Sequence, residues 1–359
     1  MAFVRRLLFC LNIVTVLLFL GASLAGIVRP SGFVWFSLLS YLFVPLFIVN
    51  VVFMLLWLCF ARKEFLLSAV AIVLRIGMIP LFFQVGGNVH SEEDSALSIM
   101  TYNVHHFYGR EFVGDIKDLS VIDSNAREFL SMVDSLKPQM LCMEEFAPKA
   151  HKTDVAGALV ARGYRHAACA IPGKNRVGVV LYSKLPISNI IYIDSISKVA
   201  ADVARGSDTI RVVCLHMGSY KLDEEDYAEF NSLSKGDFCK DSIRGTYHKV
   251  RRAIVTHGEE WEQLKPIFDG SPYPTLVAGD FNDTPASYVY QKMTGKGFLD
   301  CYREQGKGFC TTYHGKFPAF RIDYLLHSDE FDCLAYRRWK SDVSDHYPIY
   351  AQLLLLNER

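Results

Sequence analysis

Val277-Ala278-Gly279-Asp280-Phe281-Asn282-Asp283-Thr284-Pro285 is an apolar run that stops on polar groups. Pro274 to Ala278 reads as a buried strand, and Gly279 lets the backbone turn tightly after it. Asp280 and Asn282 stand on alternate positions, so both can face one side of the strand end. Thr284-Pro285 reads as a turn or helix start, since Pro is tolerated in a first helical turn. A buried strand followed by close-set polar side chains is how a rigid sheet presents chemistry at its rim. The same residues would also suit a turn whose Asp and Asn only cap backbone groups.

Working outward, the chain divides sharply near residue 85. Its 359 residues suit one domain plus an appendage, and the overall 51% hydrophobic content conceals where the apolar residues lie. Three apolar runs, 7–28, 33–60 and 65–85, fill a predicted membrane anchor over residues 1–90. A helix crosses a hydrocarbon core of about 30 Å with roughly 20 residues. Arg75 and Pro80 interrupt the third run, and a mid-membrane Arg costs at least about 2.5–3.5 kcal/mol. Arg5-Arg6 and Arg62-Lys63 place the N-terminus and the 61–64 loop in the cytoplasm, so three spans leave the remainder outside. If the third run only lies on the membrane, that placement inverts. Ala22-Ser23-Leu24-Ala25 also resembles a signal cleavage site; cutting there leaves two spans and the same outside end.

Residues 96–359 carry the second part. The whole chain has 38 basic and 38 acidic groups. With six basic and four acidic groups in residues 1–95, the remainder is near −2. A domain that grips long nucleic acid by its phosphates carries a basic face, for which this balance offers no support. Seven of the nine cysteines lie here without a CxxC pair or zinc spacing. Cys142 and Cys214 stand inside apolar strands, which predicts burial as small hydrophobes.

Strands are predicted over 97–104, 140–143, 164–170, 177–182, 187–193, 210–215, 275–278, 322–326 and 348–355. Helical stripes cover 122–136, 155–162 and 243–267, the last with a break near Gly258. The polar interval Gly218 to Gly245 reads as an insertion. Short strands with interspersed helices predict two packed sheets with helices outside them, an α/β sandwich.

Asn103, Glu145, His216, Asp280, Asn282, Asp323 and His346 each fall at or near a predicted strand end. Singly, each is an ordinary structural residue. Together, these carboxylates and imidazoles suit metal-assisted attack on a phosphate ester. Glu145 is a hard oxygen ligand of the kind Mg²⁺ takes. A metal there polarises the phosphoryl oxygen and neutralises developing charge. Asp280 can orient or deprotonate the attacking water, with Asn282 donating to the phosphate or to Asp280. His346 can transfer a proton or stabilise charge once a carboxylate, Asp323, orients its other ring nitrogen.

On Thr101-Tyr102-Asn103-Val104, Met143-Glu144-Glu145, Gly279-Asp280-Phe281-Asn282, Arg321-Ile322-Asp323-Tyr324 and Ser344-Asp345-His346, the chain resembles the endonuclease/exonuclease/phosphatase superfamily. That group includes deoxyribonuclease I-like and neutral sphingomyelinase-like enzymes. The motifs occur in the family's order and cover residues 96–356. The resemblance implies a four-layer αββα sandwich with its site at one rim. It implies Mg²⁺ (or Mn²⁺) surrounded by Asn103, Glu145 and Asp345, and water and phosphate handled by Asp280 and Asn282. It further implies a His346–Asp323 acid/base pair and a phosphate contact from His216.

Two positions depart from the family's pattern. Glu144 stands where the family has Gln; strand alternation turns it away from Glu145, where it is solvated or, failing that, tunes metal affinity. Leu215-His216-Met217 replaces Thr-His-Leu. Arg176, Lys184 and Arg252 are further cations available to substrate phosphates, although Lys184, in a hairpin turn, reads first as solvated surface; Asn103 is a second substrate contact. The expected function is a membrane-anchored phosphodiesterase or nuclease on nucleic acid or nucleotide. A phospholipid or inositol-phosphate enzyme of sphingomyelinase type is the alternative, and a catalytically silent binding domain is the rival of another class.

Overall fold

The computed structural model describes residues 2–87, 95–109, 119–148, 152–171, 177–194, 197–222, 226, 240–315 and 320–356. Arg176, Cys239 and most of the expected insertion between Gly218 and Gly245 lie outside them.

The apolar N-terminal sequence folds as four helices: α1 (Ala2–Ala22), α2 (Val34–Ser40), α3 (Phe43–Cys59) and α4 (Phe65–Leu74). Only Phe3–Ala22 is by itself long and apolar enough to cross a membrane among the described residues. The expected straight span over 33–60 is instead α2 and α3 meeting at 70°. Pro45 explains the bend, because its ring displaces the carbonyl four residues back, at Tyr41. The expected third span stops after ten helical residues at Arg75, and the chain continues as a 3₁₀ turn containing Pro80. Ala22 and Ala25 of the expected cleavage site are fully buried.

This bundle is apolar outside, and its interior combines an apolar cluster around Phe19, Phe43 and Leu46 with a buried polar cluster. Leu7, Leu11, Val14, Leu17, Val52, Leu55, Val70 and Val73 are exposed. Asn12, Asn50 and Ser68 are buried and bonded to one another: Asn12 Nδ2 donates to Ser68 Oγ at 2.6 Å, and Ser68 Oγ to Asn50 Oδ1 at 3.1 Å. Trp57 Nε1 donates to Asn12 Oδ1 at 3.0 Å. Polar side chains joining helices while leucines face outward is how helices pack in lipid, where apolar burial gives no drive to associate.

A two-residue strand, β1 (Phe83–Gln84), leads into the sandwich. Its strands are β2 (Leu97–Asn103), β3 (Met140–Phe146), β4 (His166–Ala170), β5 (Gly178–Ser183), β6 (Ile187–Tyr192), β7 (Lys198–Arg205) and β8 (Asp208–His216). They continue as β9 (Thr275–Asp280), β10 (Leu299–Asp300), β11 (Gly308–Phe309), β12 (Asp323–His327), β13 (Phe331–Arg338) and β14 (Ile349–Leu355). One six-stranded sheet runs β13-β14-β2-β3-β5-β4 and the other β10-β12-β9-β8-β7-β6. Each is mixed, with one parallel pair at its centre, β2/β3 and β8/β9.

Alternation sorts the apolar residues into layers. Leu97, Ile99, Cys142, Val212, Cys214 and Ala278 fill the space between the sheets. Met100, Tyr102 and Leu141 face outward onto helices α5 (Leu119–Leu136) and α6 (Val155–Ala161). Val213, Leu215 and Val277 face α7 (Lys240–Asp269) and α8 (Tyr288–Gly295). The expected break near Gly258 is absent, and α7 is continuous. Gly258 instead admits Pro30, whose Cδ lies 3.4 Å from where a Cβ would stand. Strand β7 escapes the apolar pattern because Lys198 and Asp202 are buried in it. Lys198 Nζ pairs with Glu260 at 2.7 Å and Asp202 with Arg211 at 2.8 Å.

Cys142 and Cys214 are buried as expected, but as a disulfide between β3 and β8, Cα atoms 5.9 Å apart, closing a sequence separation of 72 residues. The bond staples one sheet to the other. The double variant Cys142→Ala/Cys214→Ala is expected to lose about 2–4 kcal/mol of stability. A lower urea midpoint at unchanged slope would show this; an unchanged midpoint would remove the staple from the stability account.

Candidate active site at the rim of the two sheets

The two parallel pairs set where the polar strand ends meet. Asn103 ends β2, Glu145 lies at the end of β3, His216 ends β8 and Asp280 ends β9, so four carboxyl-terminal strand ends share one rim. Crevices outside the carboxyl ends of strands are where open α/β sheets place ligands. Asp323 opens antiparallel β12 directly opposite Asp280, and His346 lies just ahead of β14. Gly279 is needed here for close approach within the strand rather than for a tight turn: at φ +144° a Cβ would stand 1.8 Å from the Leu215 carbonyl oxygen. His105, His106, Glu145 and Asn282 all hold left-handed backbone, φ +40° to +55°. Non-glycine residues persist there only where surrounding structure imposes it, a pattern common at working sites.

Asn103 Nδ2 donates to Glu145 Oε1 at 3.1 Å and to Asp280 Oδ2 at 3.0 Å, while its Oδ1 accepts from the His105 N–H at 3.0 Å. That orientation, an assignment made from the network, bridges the two carboxylates across the sheets. The Asn282 backbone N–H donates to Asp280 Oδ1 at 2.7 Å, whereas its side-chain amide donates to the Met217 carbonyl at 2.9 Å. Backbone, not side chain, therefore supplies the expected Asn282–Asp280 contact. His346 Nδ1 faces both Asp323 oxygens at 3.0 and 3.2 Å, and its Nε2 lies 3.8 Å from Asp280 Oδ2. His216 Nε2 is buried without a hydrogen-bond partner, 3.5 Å from Glu145 and 3.7 Å from Asp280.

Burial and charge pull these groups apart. Burial pushes the Asp280 carboxyl up to about 6, against the pull of His346 and with that of Asp323. Burial also works to raise Glu145, but His216, His105 and the Asn103 amide hold it below the ordinary value. For Asp345, burial is outweighed by His105, which it meets at 3.2 Å, and by His346, leaving it at about 2. Desolvation would discharge His346, yet Asp323 and Asp280 keep its imidazolium well above the usual range.

Glu144 corrects the expectation of a solvated side chain. It is fully buried facing the inter-sheet layer, accepting from Thr101 Oγ1 at 2.7 Å. Burial raises its carboxyl well above the ordinary range, which favours the neutral acid, a group that has a donor and an acceptor as a Gln side chain does. His105, on Asp345, was not signalled by any strand end, since it follows one by two residues. Lys184 donates to the Lys137 carbonyl and lies over the Tyr164 ring, and Arg252 lines a cleft with Ser31, Arg251 and Glu259.

Among the described residues one donor set has the spacing to hold a metal ion. Asp280, Asp323 and His346 offer atoms within 4.8 Å of one another, all buried. Glu145 and Asp345 keep 24% and 18% of their side-chain surface, beside Asn103.

Residues 100–346 match the model of the Endonuclease/Exonuclease/phosphatase family, and residues 5–82 match a domain of unknown function (DUF8431). Among curated proteins the chain has no match. It is similar in structure to an endonuclease/exonuclease/phosphatase from Bacteroides vulgatus, at 15% identity and TM-score 0.50, over 73% of this chain and all of that one. An AP endonuclease from Archaeoglobus fulgidus is similar at 18% identity and TM-score 0.48, over 71% of this chain and 98% of that one. The human Nocturnin catalytic domain with bound sulfate anion is similar at 14% identity and TM-score 0.49, over 74% and 96%. With a family model spanning the strands that carry the rim and a buried Asp/His cluster at their ends, the chain belongs to the endonuclease/exonuclease/phosphatase family, whose enzymes are metal-dependent phosphoesterases.

Proposed function

We propose that the protein is a membrane-anchored, divalent-metal-dependent hydrolase of phosphate esters. The observation that carries this reading is the convergence, at one rim, of a carboxylate pushed up to about 6, a carboxylate-held imidazolium and an unpartnered His216 nitrogen. A silent binding module has no use for carboxylates and imidazoles whose proton affinities are driven apart.

Glu145 and Asp345, with Asn103 beside them, are the residues assigned to Mg²⁺ or Mn²⁺, because their partial exposure leaves room for the waters a hard cation keeps. Asp323 has both oxygens engaged by His346, which favours acid/base work for the buried trio. The metal, when bound, polarises the phosphoryl oxygen and neutralises charge developing on it. Asp280, held by Asn103 and the Asn282 N–H, orients the attacking water and takes its proton. His216 Nε2 donates to a phosphate oxygen, Asn282 fixes the loop beside it, and His346 delivers a proton to the leaving oxygen with Asp323 holding its ring.

The exposed aliphatic face of the helical bundle and its buried Asn12–Ser68–Asn50 cluster support the anchor, and the inter-sheet disulfide supports an oxidising, extracytoplasmic location for the sandwich. The full chain in detergent micelles is expected to hydrolyse bis-p-nitrophenyl phosphate with Mg²⁺ or Mn²⁺ and to stop on adding EDTA. Folded protein that shows no turnover with any divalent ion would sink the hydrolase reading.

A further inference from the structure

The helical region reaches the rim. Tyr41, at the break between α2 and α3, donates its hydroxyl to Asp283 Oδ1 at 2.7 Å and is hydrogen-bonded to the Tyr220 hydroxyl. Asp283 follows Asp280 by three residues and Tyr220 follows His216 by four, so one side chain grips both loops that leave the parallel pair β8/β9. Asp283 Oδ1 also accepts from the Thr284 N–H at 2.9 Å, and its Oδ2 faces His257 Nδ1 at 3.3 Å. Phe320 meets the Tyr41 ring edge-on at 5.6 Å, and its carbonyl accepts from the Tyr313 N–H at 2.9 Å. The Tyr313 ring in turn lies 5.2 Å from that of His346. Tyr41, Tyr220, Phe320 and Tyr313 thus form a largely buried but partly accessible aromatic wall from His346 to the helix break.

This wall has a definite chemistry. Among the described residues it offers neutral rings and one carboxylate, with Lys221 beside Tyr220, where a polyanionic strand is gripped by a row of Arg and Lys. Past the wall the surface turns apolar, with Phe33, Trp35 and Leu42 about half exposed. Trp and Tyr at the end of an apolar bundle mark the headgroup level of a bilayer. Trp35 stacks on Tyr247 of α7 at 5.5 Å. One turn further along α7, Arg251 and Arg252 line the cleft with Ser31, placing cations where lipid phosphates lie.

We propose that the helix break is the substrate entrance and that the ester hydrolysed is carried by a membrane phospholipid. Its headgroup passes Tyr41, Tyr220 and Phe320 to reach His346 and Asp280, while its acyl chains stay beside α2 and α3. This rests on the hydrolase reading above. For a diester, the water oxygen bonds to phosphorus and one phosphorus–oxygen ester bond breaks. The water's proton goes to Asp280 and the leaving oxygen takes one from His346, giving a phosphomonoester and an alcohol.

The test uses the full chain in mixed micelles with a panel of dioleoyl phospholipids and sphingomyelin, the dibutyroyl form of each glycerophospholipid, duplex DNA, RNA and bis-p-nitrophenyl phosphate. At least one long-chain lipid is expected to exceed its short-chain form by about tenfold or more in kcat/KM, remote binding energy being used at the reacting centre. Trp35→Ala, at the headgroup level and away from the loops that Tyr41 holds, is expected to lower that long-chain rate about tenfold while changing bis-p-nitrophenyl phosphate by less than about threefold. Equal losses on both substrates would make Trp35 a structural contact and overturn the entrance at the helix break, and preference for DNA, RNA or the short-chain form would overturn the lipid substrate; either leaves the hydrolase reading standing. Silence towards every ester would instead remove the hydrolase reading itself. The wild-type ratio needs no variant, so it decides even if Trp35→Ala fails to fold.

Discussion

Asp280→Asn is expected to cut kcat for phosphodiester hydrolysis by about 10²–10⁴-fold, the range a positioned general base contributes. The same change is expected to make the metal-free protein more stable at neutral pH. Burial has raised the Asp280 carboxyl from an ordinary 3.8 to about 6, so ionising it in the folded state costs free energy. The folded pKa exceeds the unfolded one, so the stability this proton contributes is complete below about 3.8 and is lost as pH rises through about 6. Wild-type metal-free protein should therefore lose stability between those values by a few kcal/mol, and the Asn variant should lack that part of the slope. Opposite movements of activity and stability separate a working group from a structural one, which would lose both. A variant rate within about threefold of wild type would take Asp280 out of the mechanism.

His346→Asn is expected to lower hydrolysis of an alkyl phosphodiester by about 10²–10⁴-fold, because its imidazolium is the proton source for a poor leaving group. Against desolvation, Asp323 and Asp280 hold that imidazolium well above its usual range, which favours the protonated, donating form. p-Nitrophenolate leaves without a proton, and there the loss should shrink to about tenfold or less. Asp323→Asn should follow the same substrate pattern more weakly, since Asp323 acts through the ring it holds. Equal losses on alkyl and nitrophenyl esters would assign His346 to stabilising phosphoryl charge rather than to proton donation.

Much of this architecture is legible in the residues because period and chemistry agree. Leu97–Asn103, Met140–Phe146 and Thr275–Asp280 are apolar runs that end on polar groups, and each is a central strand ending at the rim. Where the two conflict, legibility fails. Strand β7 carries a buried Lys and a buried Asp whose partners, Glu260 and Arg211, come from other elements, so no local pattern announces it. The bend at Tyr41 was written in Pro45, but an apolar run hides a kink from hydropathy. Glu144 reads as a surface charge because its neutralisation depends on burial between the sheets, a tertiary fact. Tyr41 and His257 could not be foreseen as neighbours of Asp283, lying 242 and 26 residues away on separate elements.

The place where the helical region joins the sandwich limits how the chain can be cut. The Arg321 guanidinium, buried among Tyr302, Tyr324 and Tyr290, pairs with Asp300 at 2.7 Å and donates to the Leu81 carbonyl at 3.0 Å. Tyr302 donates to the Phe82 carbonyl, β1 pairs with β11, and the Leu81 side chain packs in the same cluster as Val277 and Tyr324. A fragment beginning at residue 90 would strip a buried cation of an acceptor and open a hole beside the strand that carries Asp280. Inactivity of such a fragment would report damage to this seam rather than the chemistry of the rim, so soluble versions should keep the chain from Ile76 onward.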